Sequence, residues 1–281
     1  MKRSGLVVLA TVMLSTAALG LSAAAQARDL KTIQASGKLV CGTQNASSPY
    51  AFQDPESRKF VGYDVDVCQA LAKGMGLALE HRAMSTETRI PELRSGRVDV
   101  IAASMAYLPE RAEQIDYSLQ YLQGNIKVLV RKDENITKLS QLAGKRVCAS
   151  KGSSSAAIAS RVLPQAKLVN YQDLNTCYLG LQNDKVDAIS GGELVLKRFV
   201  VESRKGGSEA TLIDEPIYTE RIGLGVAKGN KELLDALNDQ LVKLDKSGEL
   251  DRIYAKWLGK DSIYGLTREF KVEPVASSSS N

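Results

Sequence analysis

From Leu39 to Gly259 the chain alternates short apolar, β-branched runs with longer stretches whose apolar residues recur every three or four positions. This alternation is the strongest constraint on the fold. Strand and helix in steady succession build mainly parallel sheets flanked by helices. Leu39-Val40-Cys41 reads as a strand closed by Gly42. Val65, Cys68, Leu71 and Ala72 follow at helical spacing, and Gly74-Met75-Gly76 offers a left-handed cap. Residues 98–103 read as a strand buried on both faces, and Pro109 suits the first turn of a helix. A second series starts near Gly124, with strands at 126–130, 144–149 and 186–189, a short helix at 139–142 and a longer one at 174–181. Gly152-Ser153-Ser154-Ser155 opens another helix with serines able to cap it. Ile222-Gly223-Leu224-Gly225-Val226 then returns as a strand, followed by an amphipathic helix over 233–244 and a last helix ending at Trp257. No internal repeat is evident beyond this alternation.

A chain of 281 residues is long for one core and natural for two. The expected organisation is a leader over 1–27, one lobe from 28–123 plus 222–270, a second from 124–221, and a frayed tail over 271–281 that ends in Ser277-Ser278-Ser279-Ser280-Asn281. Two single-strand crossings between lobes make a hinge. The leader carries Lys2 and Arg3, an apolar run from Leu6 to Leu21, and the small-x-small triplet Ala25-Gln26-Ala27. Its apolar run is shorter than the ~20 residues of a spanning helix, and no cysteine follows it before Cys41. The expectation is therefore an exported, soluble, periplasmic protein without a lipid anchor.

Hydrophobic residues make up 44% and charged residues 25%, enough apolar material for two packed cores. The net charge of +5 is spread along the chain, and no basic cluster interleaves with aromatics, which argues against nucleic acid as a partner. The four cysteines, 41, 68, 148 and 177, show no Cys-x-x-Cys spacing, and His81 is the sole histidine. Neither a zinc site nor another cofactor is expected from that inventory, and one histidine cannot be built with confidence into a Ser-His-Asp triad. In an oxidising compartment the cysteines should form disulfides. Three pairings are possible. Cys41 with Cys68 and Cys148 with Cys177 are favoured, because each pair stays within one expected lobe and ties a strand to a neighbouring helix. The alternative for the first pair is two small buried apolar side chains.

Open parallel sheets bind ligands outside the carboxyl ends of their strands. That rule selects Thr43, Gln44 and Asn45, then Ser104 and Ala106, then Ser153 and Ser154, then Gly191, Gly192 and Glu193. Arg111 lies near a helix start, where a cation gains nothing from the dipole, yet its guanidinium can grip a carboxylate with two parallel bonds. The competing reading is a surface pair with Glu110 or Glu113. Ser153 and Ser154 are either an anion site at a helix N-terminus or plain caps. Glu193 is either a ligand contact or a carboxylate favoured by the helix dipole. Tyr50, Phe52 and Tyr107 could wall a pocket or pack a core.

Several motifs add to this list. Gly62-Tyr63-Asp64-Val65-Asp66, Thr88-Arg89-Ile90-Pro91-Glu92-Leu93, Gly96-Arg97-Val98-Asp99, Pro109-Glu110-Arg111, Ile115-Asp116-Tyr117-Ser118 and Leu244-Asp245-Lys246-Ser247-Gly248 occur in that order. Their order and spacing resemble the family 3 bacterial extracellular solute-binding proteins, the amino-acid receptors of periplasmic ABC importers. Arg89-Ile90-Pro91 and the segment after Trp257 resemble the glutamate/aspartate branch. The resemblance implies a two-lobed type II periplasmic-binding fold with a two-strand hinge, a monomer that closes on a small ligand, and an ABC permease in the inner membrane as partner. It implies that Arg111 holds an α-carboxylate, that Gly152-Ser153-Ser154 stands for the family's Gly-Thr-Thr, and that Gln44 reads the ligand side chain, with Arg89 available for an acidic one.

Departures accompany the likeness. Ala106 and Leu108 stand where relatives carry hydroxyls, and Gly192 where many carry an aspartate for the ammonium. Glu193 is one residue further, a rotation of about 100° on a helix. The function expected is capture of a polar or acidic amino acid. A receptor for a plain carboxylate and a cyclohexadienyl-dehydratase-like lyase, using a single carboxylate such as Glu193 or Asp64, are the alternatives.

Overall fold

A computed structural model describes residues 27–206 and 208–276. The expected leader, up to Ala27, and the serine run at the end lie almost entirely outside these. Among the described residues no helix is long and apolar enough to cross a membrane.

The first half opens with α1 (Leu30–Ser36), β1 (Lys38–Gln44), a small three-stranded sheet of β2 (Ala46–Ser47), β3 (Ala51–Gln53) and β4 (Phe60–Val61), then α2 (Tyr63–Gly74) and β5 (Ala78–Met84). It continues with α3 (Arg89–Arg94), β6 (Val100–Ile101) and α4 (Pro109–Ala112). β7 (Ile115–Arg131) is 17 residues long and leaves this half for the second. There follow β8 (Arg146–Ser150), α5 (Ser154–Val162), β9 (Lys167–Tyr171), α6 (Leu174–Gln182), β10 (Ala188–Gly192), α7 (Glu193–Ser203) and β11 (Ala210–Leu212). β12 (Tyr218–Ala227) brings the chain back, and α8 (Lys231–Lys246) and α9 (Glu249–Leu258) pack on the first half.

The main sheet runs β5-β1-β6-β12-β7-β10-β8-β9. β1 pairs parallel with β5 and β6, and β8 pairs parallel with β9 and β10. Between these parallel groups lies the antiparallel ribbon of β7 and β12, paired from Ile115–Ala227 to Ile126–Tyr218 with register shifts around Gly223. Two α/β halves therefore share one ribbon. This is the mixed α/β architecture of the expected fold class.

Both halves bury the apolar faces that the periodicity marks. Leu39, Val67, Leu71 and Val100 are fully buried in the first, and Val128, Val147 and Ile189 in the second. Disulfides join Cys41 to Cys68 and Cys148 to Cys177. Each ties the first strand of a half to a helix packed on it, β1 to α2 and β8 to α6.

Two details differ from expectation. The strand expected over 98–103 is reduced to Val100–Ile101, although the Asp99 and Ala102 amides still donate to the Val40 and Gly42 carbonyls on either side (both 2.9 Å), and Ser104 then turns into the left-handed region (φ 47°). Lys271 to Val275, expected in the frayed tail, lie instead against β7. The Gln120 amide donates to the Glu273 carbonyl (2.7 Å), its side chain donates to the Lys271 carbonyl (3.1 Å), and Val275 is buried. They occupy the stretch of β7 where its pairing with β12 shifts register.

Candidate functional site

The carboxyl ends of the strands from both halves converge on a partly open cavity of about 100 Å³. Gln44, Ser104, Arg89 and Tyr50 line it from the first half, Ser153, Ser154 and Gly192 from the second, and Glu220 from the ribbon. Serine and threonine hydroxyls and amide groups dominate the wall, so a polar ligand would find donors and acceptors on most sides.

Gln44 ends β1. Its Nε2 donates to Thr86 Oγ1 (2.9 Å), whereas its Oε1 is buried without a partner. Such an acceptor costs about 1–3 kcal/mol if left unmade, and at a cavity wall it is ready for a ligand donor. Ser104 sits at the turn after β6. Its amide donates to Asp64 Oδ2 (3.0 Å), and Tyr121 donates to Asp64 Oδ1 (2.8 Å). Burial pushes the Asp64 carboxyl up to about 7 against those donors. Asp64 thus holds the Ser104 turn from behind the cavity. Tyr50 is placed by the start of α2, where the Asp64 amide donates to the Tyr50 carbonyl (2.9 Å). Gly62 permits this approach: a Cβ there would lie 2.3 Å from that carbonyl oxygen.

Arg89 is 3% exposed. Its Nε donates to Thr86 O (2.7 Å), Nη1 to Ala103 O (2.8 Å) and Nη2 to Gly152 O across the cleft (3.2 Å). Burial, then the neighbouring Arg111, lowers its pKa to about 9, and it stays a cation at neutral pH. Arg111, expected at the centre of the site, lies beside it but does not line this cavity. Its Nη1 donates to Ala106 O and its Nη2 to Gly152 O, both at 3.0 Å, and it faces a wider outer cavity of about 760 Å³. One bond from each Nη is thus committed to a backbone carbonyl. Both arginines converge on Gly152, whose left-handed backbone (φ 73°) and missing Cβ let it come against Glu87 of the first half. Lys151–Glu87 (2.9 Å) and Arg161–Glu110 (2.5 Å) join the halves around this contact, and Asn175 donates to the Ala46 carbonyl (3.1 Å).

On the opposite wall Ser153 caps α5, accepting from the Ala156 amide (3.1 Å), so one of the two weighed roles is present in the geometry. Ser154 donates to Glu220 Oε1. Glu193 begins α7 but faces away from the cavity lining, bonded to Asn125 (2.9 Å) and Lys197 (3.1 Å) with Lys127 at 3.7 Å. Burial opposes its ionisation, and the Asn125 and Lys197 contacts outweigh it, lowering the pKa.

Glu220 was not legible as a site residue. It sits in the polar run Tyr218-Thr219-Glu220-Arg221, which reads as exposed, yet it is 7% exposed and lines the cavity. Burial raises its pKa, opposed by the Ser154 bond and by Arg111 and Arg89. No histidine lines the cavity; His81 lies on β5 beside Thr43 Oγ1 (2.8 Å). Among the described residues no cluster of His, Cys, Asp and Glu could hold a metal ion.

Known proteins share this architecture. A glutamine-binding protein of an ABC transporter in Bacillus subtilis (strain 168) is 28% identical over 236 residues, 83% of this chain and 85% of its own. An ancestral arginine-binding protein bound to arginine matches with a TM-score of 0.75 at 33% identity, over 79% of this chain and 99% of its own. An ancestral amino-acid-binding protein that is a precursor of cyclohexadienyl dehydratase matches with a TM-score of 0.73 at 27% identity, over 82% and 99%. The model of one family, bacterial extracellular solute-binding proteins, family 3, matches residues 39–260. With that match running from the first strand past the last helix, the chain belongs to the family 3 bacterial extracellular solute-binding proteins.

Proposed function

We propose that this protein is a periplasmic receptor that captures a polar or acidic amino acid between its two halves and delivers it to an ABC importer. The carrying observation is the polar cavity at the strand ends between the two halves, with an unpartnered acceptor on Gln44 and a buried cation at Arg89. The relatives' names, receptors for glutamine and arginine among them, supply the ligand class. In this reading the crossings at 123–124 and 221–222 are the hinge, lobe one comprising 28–123 with 222–270 and lobe two 124–221. The Lys151–Glu87, Arg161–Glu110 and arginine–Gly152 contacts belong to the closed form. A ligand that touches both walls stabilises that form by its differential affinity for it. Arg89 supplies positive potential inside the cavity. Arg111 supports it by fixing Gly152, rather than by gripping the ligand directly in the conformation described.

The test is a thermal-shift screen of the mature protein against the twenty amino acids, dicarboxylates and keto acids. A ligand bound only by the folded state raises Tm by mass action. A hit among polar or acidic amino acids supports the reading. A hit confined to plain carboxylates replaces it with a carboxylate receptor.

A second reading, a dehydratase-like lyase, draws on the solved ancestral relative and on Glu220, a buried carboxyl of raised pKa at the cavity. We favour the receptor because the family is one of solute-binding proteins and the curated relatives are named for the amino acids they bind. Consumption of prephenate or arogenate followed by absorbance would reverse that preference.

A further inference from the structure

The acidic groups around the cavity differ in one respect. Asp173 lines it but caps α6, accepting from the Thr176 amide (2.8 Å) and hydroxyl (3.0 Å). Asp64 is occupied by Tyr121 and Ser104 behind the wall. Glu193 is engaged with Asn125 and Lys197 away from it. Glu220 accepts a single side-chain bond, from Ser154 Oγ, and among the described residues no Lys or Arg lies within ion-pair distance of it. A carboxylate this deeply buried carries a large desolvation cost unless a cation or several donors meet it.

Space for that partner is built in. Glu220 lies opposite Gly124 in the β12–β7 register, so the neighbouring position on that face carries no side chain. Gly192 also borders the cavity, and a Cβ built there or on Gly124 would lie about 4 Å from the Tyr50 hydroxyl (3.8 and 4.0 Å). Gly192, Tyr50 and Glu220 line the cavity, with Gly124 beside the tyrosine hydroxyl, and Arg89 supplies positive charge on the same lining. The arrangement suits a zwitterion with its ammonium at the glutamate.

We propose that Glu220, on the crossover strand, receives the ammonium group of the ligand, so that the amine is read from the ribbon rather than from the strand end at Gly192. This rests on the amino-acid reading above and names a residue for it.

The test compares each amino acid with its amine-free counterpart, L-glutamine with glutaramate and L-glutamate with glutarate, by titration calorimetry on the full mature protein. Glu220→Gln should weaken binding of the amino acid about 10- to 100-fold, the range for losing a bond to a charged group, and shift the amine-free acid less than about twofold. Glu220→Asp, which keeps the charge, should retain more affinity than Glu220→Gln. It also carries the comparison if the glutamine variant does not fold. If wild type binds the amino acid but Glu220→Gln weakens both members of a pair equally, or neither, Glu220 is a structural anchor for Ser154 and this inference fails alone. If wild type binds only amine-free acids, or nothing in the panel, the amino-acid reading fails with it.

Discussion

The two halves are built with the same devices and show the cavity different chemistry. In each, a disulfide ties the first strand to a helix, Cys41–Cys68 and Cys148–Cys177. In each, an aspartate just before a parallel strand accepts a backbone amide from the neighbouring strand at 2.7 Å, Asp99 from Val40 and Asp187 from Arg146. An arginine then closes each aspartate: Arg28 Nε to Asp99 (2.8 Å), and Arg146 Nη2 to Asp187 (2.6 Å). Yet the first half presents a buried guanidinium and a turn backed by Asp64, whereas the second presents serines at a helix start and the bare Gly192. The scaffold is duplicated and the recognition is not. In the proposed function, charge for the ligand comes from the first half and the ribbon, and the second half contributes mainly serine hydroxyls.

The comparison breaks or sharpens most strongly through pH. Asp64 has a folded pKa of about 7 against an ordinary 3.8, raised by burial. The native state therefore holds a proton that the unfolded chain releases, and stability should fall by about 4 kcal/mol as pH rises from 4 to 7, then level off. Asp187 has the opposite sign: the Arg146 bonds hold it down to about 2, and its stabilisation is lost as pH falls from 4 through 2. Denaturant unfolding across pH 2 to 8 measures both slopes, and Asp64→Asn should remove the first while leaving the second. A neutral-side slope unchanged in that variant would refute the assignment.

Next come the disulfides, which close loops of 27 and 29 residues. Removing either as a double Cys→Ala variant should cost about 3–4 kcal/mol in the chain-entropy picture. The two losses should agree closely in calorimetry if the halves share one design. A twofold disparity would show that they do not.

Smaller again is the aspartate pair. The Asp99 side chain is 1% exposed and Asp187 15%. Asp99→Ala should cost about 3 kcal/mol by stranding the Val40 amide and Arg28, and Asp187→Ala about 1–2 kcal/mol, because its partner reaches water. Equal losses would mean that exposure does not govern this device.

Much of the duplicated scaffold was legible because hydrophobic period and glycine stops are local signals. The strand read at 39–41 and the helices read from Val65 to Ala72 and over 233–244 fall within β1, α2 and α8, which run a few residues further. The cysteine pairing followed from keeping each bond within one half. The sheet of β2, β3 and β4 was not visible, since strands of two or three residues carry too little alternation. The repeated Val-Asp before β6 and β10 was present in the sequence, but its meaning depends on an amide from another strand. At the site, Gln44, Arg89, Ser104, Ser153, Ser154 and Tyr50 could be named from strand ends and motifs. The direction of Arg111 could not, because it is set by a carbonyl in the opposite half. Glu220 could not either, because only the register opposite Gly124 buries a residue whose neighbours are polar.

The central claim is that the inner cavity lined by Gln44 and Glu220, not the outer one beside Arg111, holds the ligand. The most direct measurement is a crystal structure of the protein with the amino acid that gives the largest thermal shift. The account predicts ligand density bounded by Gln44, Ser104, Ser154 and Glu220, with the ammonium at Glu220. Density in the outer cavity against Arg111 and Arg94, with the inner cavity filled only by water, would contradict it.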